Sequence, residues 1–114
     1  MNTATVTVYL NDGPYQFRGF GLSGPARLRP VTRFGVEVAE DVPAEHVTAG
    51  VLEIVFEQLN IDQPQQRWAV EYRAGGYRSL SVGDVVAVGE TAWACCSLGW
   101  RRLSTHELRA AVHR

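Results

Sequence analysis

Residues 78–103, RSLSVGDVVAVGETAWACCSLGWRRL, place the tightest limits on what this chain can fold into. Within 26 residues they set a serine-flanked loop, a Val-Gly-Asp turn, an apolar strand, a Gly-Glu-Thr turn and a second apolar strand. Glycine lets the backbone reverse at each turn, and short apolar runs bounded by turns read as strands. Residues 85–88 are expected to pair antiparallel with residues 92–98 across Gly89-Glu90-Thr91, a three-residue loop containing glycine. So many backbone instructions define a fixed fold. The same stretch holds no nucleophile beside a base, no metal-ligand set and no phosphate cradle.

The flanking segments supply the other elements. In residues 3–10, Thr3, Thr5 and Thr7 alternate with Ala4, Val6 and Val8, the period of a half-buried strand. Asn11-Asp12-Gly13-Pro14 then makes a turn. Residues 15–20 read as a short second strand, with Tyr15 and Phe17 on one face, and Gly19, Gly21, Gly24 and Pro25 mark an open loop. Strand character resumes over residues 31–39, where Phe34, Val36 and Val38 alternate with Arg33, Gly35 and Glu37, and Pro30 stands at its start. Asp41-Val42-Pro43 opens the main helix, which runs to about Leu59. Val47, Val51, Ile54, Val55 and Leu59 recur at helical spacing, while Glu53 and Glu57 lie one turn apart on the solvated side.

Two readings compete for residues 64–74. Trp68, Val70 and Tyr72 alternate like a strand, and Gly75-Gly76 could turn a hairpin. Against that, Asp62 and Pro64 suit a helix start, Trp68 and Tyr72 are one turn apart, and Gly75 fits a helix end. The helix is adopted. At the tail Ser104 and Glu107 form a capping box ahead of Leu108, Ala111 and Val112, which give a last helix its apolar side. The order strand, strand, helix, helix, strand, strand, helix describes one α+β domain over residues 1–114. An antiparallel or mixed β-sheet packs with two or three helices, and a β-grasp-like order is one compatible topology.

Charge is segregated along a chain whose formal net charge is only −1. All 11 basic residues are arginine. Residues 13–36 carry Arg18, Arg27, Arg29 and Arg33 with no acid, whereas residues 37–62 carry Glu37, Glu40, Asp41, Glu45, Glu53, Glu57 and Asp62 with no base. The simplest expectation is that the two blocks neutralise each other across the fold; otherwise they make a polar surface. A net charge near zero gives no global attraction to nucleic acid or anionic membrane. Two adjacent cysteines cannot build a disulfide framework, which argues for a reducing compartment. The N-terminal MNTATVTVYL lacks a signal peptide's basic and apolar regions, and no apolar run is long enough to span a membrane. A cytoplasmic location is the expectation.

The run Ser79-Leu80-Ser81-Val82-Gly83-Asp84-Val85-Val86, then a strand, a short polar turn and a strand ending in Gly99-Trp100, resembles the YodL-like family. That family comprises small bacterial proteins often carried by plasmids, phages and other mobile elements. The resemblance covers residues 78–100. Family members often show an aromatic-cysteine-aspartate-like stretch in the last strand; here Trp93-Ala94-Cys95-Cys96-Ser97 departs from it at Ser97. The resemblance implies a fold and a mobile-element context, and carries no mechanism to this chain.

Candidate chemistry is sparse. Cys95 and Cys96, adjacent in a strand, point to opposite faces and cannot jointly hold a metal without a bulge. His46, His106 and His113 fall on helices without ligand spacing. The serines of residues 79–84 lack the GxSxG setting and read as a loop whose hydroxyls cap backbone groups. GFGLSG, residues 19–24, lacks the Lys-Ser/Thr of a phosphate loop. No catalytic residue, metal or cofactor is expected.

What remains is arginine beside aromatics. Arg73, Tyr77 and Arg78 precede the central block and Trp100, Arg101 and Arg102 close it. Brought together, they would present two aromatics and four guanidinium groups to a nucleic acid. The acidic helix face at Glu45, Glu53 and Glu57 is the other candidate surface, fitted to a protein. The sequence thus points to a small non-enzymatic binding or accessory protein. A protein partner or self-association is favoured over nucleic acid. The alternatives are a nucleic-acid-binding accessory factor and an enzyme with an unrecognised site.

Overall fold

The alternating N-terminal residues form β1 (Asn2–Asn11), which buries Val6, Val8 and Leu10 on one face. The computed structural model describes residues 2–13, 19–21 and 25–113. Strand β1 lies between β2 (Leu28–Val38) and β3 (Val85–Val88), antiparallel to both. Beyond β3 come β4 (Thr91–Cys95) and β5 (Trp100–Leu103), which completes a five-stranded sheet in the order β2-β1-β3-β4-β5. Every neighbouring pair among the described residues is antiparallel, so the parallel pair of a β-grasp order is absent.

Helices α1 (Ala44–Asn60) and α2 (Arg67–Ala74) cross from β2 to β3 and cover one face of the sheet. Val51, Leu52, Val55 and Leu59 of α1 pack there with Val6, Val8, Val86 and Val88. Val55 and Leu59 are wholly buried, and each such side chain contributes about 1.5–3 kcal/mol. Helix α3 (Thr105–Val112) lies on the other face, where Ala111 and Leu108 meet Leu28, Val85, Ala92 and Ala94. The molecule is a single α+β domain, a sheet sandwiched between two helices and one. No helix among the described residues is long and apolar enough to cross a membrane.

Several boundaries differ from the sequence expectations, each for a physical reason. Strand β2 begins at Leu28, so Pro30 sits inside it rather than at its start. This is tolerated because β2 is an edge strand and Pro30 adjoins a bulge between the Val8–Thr32 and Tyr9–Pro30 pairs. The expected strand over residues 92–98 ends at Cys95. Residues 96–99 then reverse the chain, Cys96 N–H donating to Gly99 C=O at 3.0 Å, and a fifth strand follows that the sequence reading did not separate. Gly99 has φ 79°, a conformation in which a side chain is strained. The loop between β3 and β4 is two residues, since Val88 already pairs with Thr91. In the expected strand over residues 15–20, Tyr15 to Arg18 lie outside the described residues. Gly19 and Phe20 are not in a strand.

Residues 67–74 are helical, as the second reading of that segment had it, beginning three residues later than Pro64. Gln66, at the N-cap, makes no side-chain cap; the start is satisfied from α1 instead. The Gln58 Oε1 accepts from the Gln65 and Gln66 backbone N–H groups at 2.7 and 3.0 Å. At α3 the capping box is complete: Ser104 Oγ accepts from Glu107 N–H at 3.0 Å and Glu107 Oε1 from Ser104 N–H at 2.9 Å. Those bonds hold the exposed Glu107 carboxyl below its usual range, Arg101 adding to the effect.

Candidate functional site: a groove between the first helix and the last hairpin

On the face covered by α1 and α2, the β4–β5 hairpin projects Thr91, Trp93, Trp100 and Arg102. In the pairing of the two strands, Trp93 stands opposite Arg102. Helix α1 packs over β3, and a groove of about 710 Å³ opens between it and this end of the sheet. The α1 wall consists of Ala44, Glu45, Thr48, Ala49, Leu52 and Glu53. Ala44, Thr48 and Ala49 put short side chains along that wall. The size of the groove lies within the range of ligand pockets.

The floor is held rigidly. Trp93 Nε1 donates to Thr91 Oγ1 at 3.0 Å, and Thr91 Oγ1 donates to Val88 C=O at 2.9 Å, so the indole N–H is satisfied within its own strand. Trp100 meets the Phe56 ring edge-on, centroids 6.2 Å apart. Beyond Gly99 at one end of the groove stands Leu98, 94% exposed at the tip of the β4–β5 turn.

The groove unites parts of the two surfaces read from the sequence. Glu45 and Glu53 supply its wall, and Trp100 and Arg102 its floor. Glu57 is exposed on α1 but does not line it. Glu45, Glu53 and Glu57 form no ion pair with any described residue. The expected neutralisation of the acidic block by arginines therefore does not occur on α1. Arg102 likewise has no ion-pair partner among the described residues.

The other members of the expected arginine–aromatic cluster go elsewhere. Arg101 points to the opposite face, where it pairs with Glu107 at 3.4 Å and lies 5.7 Å from the Phe20 ring centre. Arg73 reaches back to the end of α1 and donates from Nη2 to Leu59 C=O at 3.4 Å and to Ile61 C=O. Its buried Nε has no partner among the described residues. Tyr77 packs against Tyr72, centroids 5.2 Å apart.

Arg78 belongs to a buried polar hub. The fully buried Asp84 accepts from Arg78 Nη1 at 2.6 Å and Nη2 at 2.8 Å, and from the Asn11 and Ser81 backbone N–H groups, both at 2.8 Å. Asn11, also buried, donates from Nδ2 to Gly83 C=O at 3.0 Å. Tyr72 Oη donates to Arg78 C=O at 2.6 Å. Gly83, at φ 95°, completes the turn that aims the Asp84 carboxylate inward. In the loop read as seryl capping, this carboxylate is the acceptor that gathers the backbone groups. Its hydrogen bonds raise the Arg78 pKa above the ordinary value. The hub ties the end of β1 to the start of β3, so Arg78 serves the fold.

The remaining chemistry is muted. Burial, with Asp84 and Cys96 nearby, pushes the Cys95 thiol up to about 11, which keeps it protonated at neutral pH. Burial and Asp84 push Tyr72 up to about 12. Among the described residues no three His, Cys, Asp or Glu side chains could together hold a metal ion. Residues 22–24 of the glycine-rich run lie outside the described residues.

Trp93 and the small residues of α1 carry no site signal in the sequence. Trp93 reads as a core residue beside the cysteines, and small residues on a helix carry no signal until their neighbour is known. No family model matches this chain, and neither a curated protein nor a solved structure matches it significantly.

Proposed function

We propose that this chain is a small non-enzymatic binding module that seats a protein partner in the groove between α1 and the β4–β5 hairpin. The observation that carries this reading is an open groove floored by the half-buried Trp93 and Trp100 and faced by a helix wall whose carboxylates form no ion pair with any described residue. Tryptophan is enriched where one protein anchors on another, and a rigid indole loses little conformational freedom on contact. The charged groups of the groove, two carboxylates and a guanidinium, are suited to recognising charge. Leu98 adds an apolar contact at the rim.

A nucleic acid fits this surface less well, since Glu45 and Glu53 repel phosphate and only Arg102 attracts it. Association with a mobile element rests on the resemblance of residues 78–100.

The test is site-specific photo-crosslinking in cells that make the protein. A crosslinker placed at Ala49, inside the groove, is expected to trap a discrete protein adduct. One placed at the exposed Glu71 of α2 is expected to trap none. Adducts that form equally at both positions, or only at Glu71, overturn the assignment.

A further inference from the structure

We infer that the occupant of the groove is an extended segment of a protein partner carrying arginine or lysine, its cations held by Glu45 and Glu53 over the indole floor. This inference rests on the groove being the partner site and names the chemistry of what enters it.

Three observations on the same groove support it. Its wall carries two carboxylates and its floor one guanidinium, an excess of negative charge left uncompensated by any described residue. The floor presents two indoles, and a guanidinium or ammonium is attracted to the face of an indole. A basic side chain entering here meets both attractions at once, while an acidic one meets only Arg102.

The third observation is spacing. Glu45 and Glu53 are eight residues apart on α1, which separates them by about 12 Å along the helix axis. An extended chain advances about 3.3 Å per residue and returns a side chain to the same face every second position. Basic residues four positions apart therefore span about 13 Å on one face, close to the spacing of the two carboxylates. Arg102, between wall and hairpin edge, opposes such a cation and disfavours a segment basic throughout.

The experiment uses the full chain and a labelled peptide of three Arg-Gly-Gly-Gly repeats, followed by fluorescence anisotropy across a salt series. Hexaglutamate and a single-stranded oligonucleotide are the contrasting probes. The basic peptide is expected to bind, with affinity falling as salt rises. Glu45→Gln with Glu53→Gln is expected to weaken binding by about tenfold or more. Arg102→Ala is expected to tighten it by about threefold, because it removes a repelling charge. Circular dichroism melts confirm that each variant folds.

Binding unchanged in the double variant places the peptide elsewhere and overturns the inference. So does preference for hexaglutamate or the oligonucleotide, lost in Arg102→Ala, which assigns the groove to an anion. A dimer that dissociates in the double variant also overturns it, in favour of a second copy of this chain. If the basic peptide fails to bind while Ala49 still crosslinks a protein, the groove stands as a partner site and the cationic occupant falls.

Discussion

Arg78 and Arg102 stand near the two ends of the same 26-residue stretch and lead opposite lives. Arg78 makes a two-pronged contact with a carboxylate that has no exposure to water. Arg102 lies in an open groove, without an ion-pair partner among the described residues, beside carboxylates that are likewise unpaired. A charge whose partner is built into the backbone's turns stabilises the fold. A charge left unmatched in an open groove contributes little to the fold.

Asp84→Ala attacks the structural end of that comparison and has the largest expected effect. It removes a carboxylate that accepts from Arg78 and from the Asn11 and Ser81 N–H groups. Because the Arg78 side chain is 41% exposed, water rescues part of the loss, and the cost is expected to be about 3 kcal/mol. Urea denaturation measures it. A cost below about 1 kcal/mol, that of an ordinary hydrogen bond, would break the distinction between the two arginines.

A smaller effect sharpens it. Tyr72 and Cys95 sit beside Asp84, and burial raises them from ordinary values of 10.0 and 9.0 to about 12 and about 11. Both are neutral acids whose anions the fold disfavours, so the unfolded chain gives up its protons first. Their contribution to stability is fully present below about pH 9 and is lost as pH rises through the folded values. Thermal melts are expected to show a steady fall in midpoint between about pH 9 and pH 12. A flat profile would mean that these groups are solvated.

At the other end, Arg102→Ala and Glu53→Gln are expected to change stability by no more than about 0.5 kcal/mol. Urea midpoints within error of the parent would agree. A loss above about 1 kcal/mol would make the groove another structural site.

The sequence revealed what is local. The alternation in β1, the apolar stripe of α1 and the Ser104–Glu107 box each carry their signal within a few residues. Strand β5 was hidden because its separation from β4 depends on four residues, 96–99, whose cysteine and leucine read as a continuing apolar strand. Pro30 reads as a strand start because nothing in the sequence says that β2 lies at an edge.

The same limit governs the site. Glu45 and Glu53 were visible as an acidic helix face, and Trp100 and Arg102 as part of a basic aromatic cluster. That these two sets face each other follows from the packing of α1 against the sheet, a contact between segments some fifty residues apart. The partition of the arginines spans only six residues in each case, yet it too depends on geometry that the sequence does not display. Arg78 is claimed by Asp84 and Arg101 by Glu107, and both contacts exist only once the turns have closed.

Gln58 has a consequence for the order in which the molecule can assemble. Its carboxamide occupies the backbone groups just ahead of α2, so the second helix borrows its beginning from the first. Eight residues are too few to stay helical alone in water. Helix α2 is therefore expected to form on α1 rather than ahead of it. Hydrogen exchange is expected to show the two helices opening together, and the wall of the groove with them.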